Sequence, residues 1–193
     1  MIAFEIDMED VKRVAQSLHA SADQIPYAMM IALNDATEVT RNFLIKHTWP
    51  SHIKQRNASF IAASLTTRDT RASKTNLSTE IYDRLDKGHL TEQAKGGVVA
   101  PRRRHIAVPV SSVPRTSRGV PKGLRPRNLP NGIRIKDAIY VREKGRLKLM
   151  YVLKTSVKIP RRVPFYEDYE MVMRRELAHA VPRAFEKAMR TRR

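Results

Sequence analysis

The chain has 193 residues, a formal net charge of +18 and no cysteine, and 41% of it is apolar. That is enough for a modest core in a single domain, but it excludes disulfides and cysteine-based zinc sites. A charge of this size points to polyanionic partners, nucleic acid or acidic protein surfaces.

Residues 2–6 alternate apolar and polar, which predicts a short strand, and Asp7 can cap a helix running to about Leu18. A longer amphipathic helix is predicted from about Asp23 to Lys46. Its stripe is Ile25, Met29, Ala32, Ala36, Val39 and Phe43, at alternating spacings of four and three. Trp49-Pro50-Ser51 ends it and starts a short helix near His52 to Arg56. Residues 59–66 and 76–82 read as strands around a polar turn, Asp69 to Thr75. Leu85 to Lys95 is ambiguous and closes at Gly96-Gly97, a pair that permits an unusual backbone turn.

Ile106 to Val110 is a short strand. Residues 111–132 then carry Pro114, Gly119, Pro121, Gly123, Pro126, Pro130 and Gly132. Such a segment is too long for a plain connection and reads as a functional arm. Ile139–Arg142 and Leu147–Leu153 form a hairpin around Glu143-Lys144-Gly145-Arg146, with Val157 and Ile159 extending its second strand. The last helix runs from about Pro164 to Arg190, acidic at its start and basic at its end, as the helix dipole favours. Its stripe is Phe165, Tyr169, Met173, Leu177, Ala180, Ala184 and Ala188, and Pro182 interrupts it. The expected architecture is α+β: a small, mostly antiparallel sheet packed against two long helices. The expected core is Ile25, Met29, Val39, Phe43, Tyr169, Met173 and Leu177. The expected organisation is one domain, 1–193, with a basic arm at about 96–134 inserted in it.

Catalytic patterns do not emerge. His19, His47, His52, His89, His105 and His179 are scattered without ligand spacing, and no phosphate-binding or nucleophile-elbow motif occurs. Glu92-Gln93-Ala94-Lys95 comes near an acidic-x-Lys nuclease pattern but is one residue too long. The reading is therefore not an enzyme, with no cofactor and no metal. The first residues lack the basic and apolar regions of a secretory signal, and no stretch is apolar for long enough to cross a membrane. A soluble protein made in a cytoplasm is expected.

The feature that stands out is the stretch from Gln93 to Lys136, which contains no Asp or Glu. Its candidate interaction residues are Arg102, Arg103, Arg104, Arg115, Arg118, Lys122, Arg125 and Arg127. They could bind phosphates with counterion release, or dock on acidic faces of other subunits. No Phe, Tyr or Trp lies between Tyr82 and Tyr140, so stacking on single-stranded bases is disfavoured.

Two passages resemble a known family. Lys95-Gly96-Gly97-Val98-Val99-Ala100-Pro101 followed by Ile106-Ala107-Val108-Pro109 resembles a pattern of phage neck and tail-completion proteins. Val157-Lys158-Ile159-Pro160, then Val163-Pro164-Phe165 and a helix containing Leu177 and Val181-Pro182, is similar to the C-terminal passage of the minor tail protein Z family. The early helix around Asn34 matches in position and character. The resemblance implies an α+β fold and a structural virion protein. It also implies a ring, often six-fold, joining the tail tube to the head connector or adaptor. Partners would be copies of itself, those neighbours, and double-stranded DNA passing through the lumen. The family supplies no catalytic residues. The longer Pro/Arg arm departs from its pattern. The alternative from composition is a non-specific double-stranded nucleic-acid-binding protein.

Overall fold

The computed structural model describes residues 24–190 together with Arg13. The strand and first helix expected over 2–18 therefore lie outside the described residues. The fold is α+β. It divides into two compact units. One comprises residues up to 54, 59–90 and 162 onward; the other comprises 55–58 and 91–161. The stretch that holds the basic segment expected at about 96–134 is itself a compact unit.

In the first unit, helix α1 (Gln24–Phe43) packs along helix α5 (Phe165–Arg190). Their shared core holds Ala28, Met29, Ala32, Ala180, Ala184, Phe185 and Ala188. Small alanines on both helices let the two backbones approach closely. Ile25 packs partly buried against this cluster. Met29, Tyr169, Met173 and Leu177 are buried, as the stripes anticipate.

Two residues of the expected core are corrected. Val39 is 46% exposed, and Phe43 is only half-buried, its ring tilted against His47. The buried face runs instead through Met29, Leu33, Ala36, Thr40 and Leu44. Thr37 and Thr40 are buried because each hydroxyl donates to a carbonyl of its own helix, Leu33 and Ala36, both at 2.7 Å. The same hydroxyls face Met173, whose sulfur lies 3.7 Å from the Thr40 oxygen and 3.9 Å from that of Thr37. This core is helix on helix.

The early helix does not end at Trp49. A π-turn (Leu44–Thr48) continues α1 into α2 (Trp49–His52), and the chain becomes extended at Ile53. The wide π-turn makes room for the Pro50 ring, which a tight α-turn would crowd. No separate helix forms over His52 to Arg56. The Trp49 ring stacks on Phe165 at 6.0 Å, and Thr48 donates a 2.6 Å hydrogen bond to Asp168. Residues expected as strands over 59–66 and 76–82 are mostly otherwise: α3 (Ser59–Ser64) precedes a minimal pairing of β1 (Leu65–Thr66) with β2 (Tyr82–Asp83). Ala62-Ala63 favours helix, and Arg41 from α1 donates to the Ala62 and Leu65 carbonyls that this short helix leaves open. Asn34 pins the following loop by exchanging two hydrogen bonds with the Ala72 backbone, at 2.9 and 3.0 Å.

One buried group in this unit sets a pH dependence. The Tyr169 hydroxyl is buried without a hydrogen-bond partner among the described residues, and burial, aided by the charge of Glu80, pushes its pKa up to about 12. The folded state therefore prefers the neutral phenol. Its contribution is whole below pH 10 and is lost as pH climbs from about 10 toward 12, a loss on the order of 2 kcal/mol. Tyr169→Phe should remove this alkaline loss and raise stability at pH 7 by about 1 kcal/mol, because an unpaired hydroxyl leaves the core. Denaturant midpoints measured from pH 7 to 12 check both points.

The second unit takes in most of α4 (Leu90–Lys95) and holds two sheets. In the smaller, β3 (Gly97–Val99) pairs antiparallel with β8 (Val157–Ile159). Val157 and Ile159 thus form their own strand and do not extend the hairpin. In the larger, β4 (Ile106–Pro109), β7 (Arg146–Lys154), β6 (Ala138–Glu143) and β5 (Gly132–Ile135) lie in that order, all antiparallel. The expected β6–β7 hairpin is present. Lys144 and Gly145, both with positive φ, form its two-residue turn. A bulge at Met150 sets both Met150 and Tyr151 into the interior.

Candidate functional site

Apart from one turn of 3-10 helix at Lys122–Leu124, the segment between β4 and β5 has no regular helix or strand, yet it is folded. It is a string of tight turns. Thr116 and Gly119 exchange two backbone hydrogen bonds, and further turns close from Leu124 to Pro121, Asn128 to Arg125 and Gly132 to Leu129. Pro126 and Pro130 stand second in their turns, where their fixed φ is wanted. Between these polar turns, Val113, Val120, Leu124 and Leu129 point inward and cover Met150, Tyr151, Ile139 and Val141 of the sheet. The Tyr151 hydroxyl donates to the Leu124 carbonyl at 2.6 Å. A few aliphatic side chains, spaced four to seven apart, fasten the segment down.

The turns hold five of the cations outward, and three more, Arg102 to Arg104, lie just before β4. Arg102, Arg103, Arg104, Arg115, Arg118, Lys122, Arg125 and Arg127 are all exposed. Arg118, Lys122 and Arg127 stand within turns. Arg115 and Arg125 reach back to the Pro109 and Val120 carbonyls, at 2.9 and 3.3 Å, and both lie near Tyr151. Burial raises the Tyr151 pKa, and these two guanidiniums pull it the other way. Among the described residues, none of the eight is paired with a carboxylate.

The reason lies in how charge is divided. Residues 55–58 and 91–161 hold nineteen Lys or Arg against three acids (Glu92, Asp137 and Glu143), a formal +16, which leaves +2 for the rest of the chain. One of those acids, Glu143, is taken by Lys148 at 3.2 Å. The basic surface is therefore wider than the eight cations. It includes Arg142, Lys154 and Lys158 on strands. It also includes Arg56, which lines an open cavity of about 540 Å³ with Ser111 and Arg115. Sequence reading stopped at the first acid, Asp137. The acid-poor stretch in fact continues to Tyr166, broken only by Asp137 and Glu143.

Gly96 and Gly97 part company. Gly96 takes φ +76, ends α4 by donating to the Glu92 carbonyl at 2.8 Å, and leaves a Cβ only 3.3 Å from the Arg161 backbone nitrogen. Gly97 is ordinary strand. Gly96→Ala should cost about 1–2 kcal/mol through its left-handed backbone, and Gly97→Ala clearly less, since only the Glu92 side chain must give way. Equal losses in chemical denaturation would contradict this assignment.

Among the described residues no group of three His, Asp or Glu is placed to hold a metal ion, and no helix is long and apolar enough to cross a membrane. The chain matches no protein-family model, no curated protein and no solved structure.

Proposed function

We propose that this chain is a structural phage virion protein of the neck or tail-completion type, a ring subunit joining the tail tube to the head connector. The observation that carries the reading is the basic unit itself. Among the described residues, the eight exposed cations of a +16 unit pair with no carboxylate, which suits them to charges supplied by another molecule. Arginine forks suit carboxylates of neighbouring subunits, where they pair two hydrogen bonds at once. Further support comes from the paired passages. The Gly97–Val99 and Val157–Ile159 segments, which separately resemble the phage proteins, are hydrogen-bonded partners in one sheet, with Val98 opposite Lys158. They are one structural feature split across the chain.

Copy number in purified particles tests the proposal. The chain should be present in the small fixed stoichiometry of one ring, at the junction of head and tail. Absence from particles would overturn the reading. The same charge division also favours a second reading, non-specific binding of duplex nucleic acid. In that case the isolated protein would bind random duplexes, with log affinity falling against log salt at a slope near −0.9 per phosphate contacted.

A further inference from the structure

The four-stranded sheet has two unlike faces. One is covered by the string of turns. Strand alternation and register place a different set of side chains on the other. Val108, Val152 and, across Ala138, Ile135 form one row; Leu149, Tyr140 and Ile133 form the next, with Leu147 beside them opposite Arg142. None of these is buried. Ile133 is 37%, Ile135 42% and Leu147 47% exposed, and the others are intermediate. A contiguous, mostly aliphatic surface of this kind, with Tyr140 within it, is what an interaction site leaves open.

Its rim decides what it fits. Arg142 and Lys154 share this face by register, and Lys136 and Lys144 stand in the hairpin turns at its ends. A second copy would bring the same rim and another +16 unit against it, which like-charge repulsion opposes. A duplex would present phosphates, to which isoleucine and leucine offer nothing. The complementary occupant has an apolar centre and a carboxylate border. We infer that this sheet face is a docking seat for an acidic protein surface with an aliphatic centre. The inference rests on the reading that the chain joins protein subunits, and adds a defined surface to it.

The test uses the full chain, its Ile133→Ser/Leu147→Ser variant, and a synthetic helical peptide with leucines on one face and glutamates on the other. Fluorescence anisotropy should show peptide binding that weakens at least about tenfold in the variant, the scale for losing packed anchors. Val98→Ser, at an exposed valine on β3, should change nothing. A peptide with its leucines replaced by serine should not bind. If the double variant loses its fold by circular dichroism, Ile135→Ser alone supplies the same reading. Equal binding by wild type and variant, or equal binding of the serine peptide, sinks the inference. A dimer in sedimentation that the double variant abolishes makes the occupant a second copy. A tenfold drop in affinity for a 20-base-pair duplex makes it nucleic acid. Both results overturn the proposal. A chain present in particles whose variant binds the peptide normally loses this inference and keeps the proposed function. A chain absent from particles whose variant loses the peptide does the reverse.

Discussion

Changing Arg102, Arg103, Arg104, Arg118, Lys122 and Arg127 together to glutamate should abolish head–tail joining while leaving the protein folded. These six are chosen because their side chains are exposed and bond to nothing among the described residues, whereas Arg115 and Arg125 hold the turns through backbone carbonyls. A charged hydrogen bond to a carboxylate contributes about 1.5–3 kcal/mol, so losing several, and meeting repulsion instead, should lower joining a hundredfold or more, by order of magnitude. Complementation titres and electron micrographs of separated heads and tails give the readout. Thermal unfolding should stay within about 0.5 kcal/mol of wild type per site. Normal joining by the folded variant would refute a docking role for these residues. Unimpaired joining together with lost duplex affinity would move the assignment to nucleic acid.

The largest stability effect should come from Phe185→Ala. Phe185 is wholly buried among the alanines and Met29 of the paired helices. Its removal should cost about 3–5 kcal/mol, since a backbone held by two long helices collapses little into the space. Phe43→Ala should cost clearly less, its ring being only partly buried, and Val39→Ser should stay within about 0.5 kcal/mol. Urea midpoints with unchanged slopes check the ranking. A Phe43 loss as large as that of Phe185 would mean that the helix is rotated from the face described.

The ranking shows what the sequence made legible. Helical periodicity located both long helices and most of their buried residues. It misplaced the α1 stripe because Thr37 and Thr40 look polar to any hydropathy count. Their hydroxyls are satisfied inside the helix, and that is a property of backbone geometry rather than of composition. Local propensity also found the β6–β7 hairpin, where Gly145 fixes the turn. It failed at Ser59–Ser64, where the deciding partner, Arg41, lies some twenty residues away. The eight cations could be picked out as a charge run. Their setting could not, because the segment is held by single aliphatic residues that follow no period. Arg56 reaches the basic unit only through the tertiary fold, and nothing local announces it. The open sheet face needed the register of four strands, and in particular the Met150 bulge that sets which residues share a side.

The order of the chain adds a matter of timing. The two long helices that make the first core lie at opposite ends of the described sequence, with Thr37 and its Met173 neighbour 136 residues apart. The whole of the basic unit is synthesised between them. At ordinary elongation rates of about 5–20 residues per second, α1 waits roughly 7 to 27 s for its mate. Throughout that interval its alanine and methionine face has no partner, while the sheet of the inserted unit can already close by its own nearer pairings. Each new molecule therefore acquires its basic half first and its helical half last. The nascent chain is most exposed to misassociation in the seconds before Phe185 leaves the ribosome.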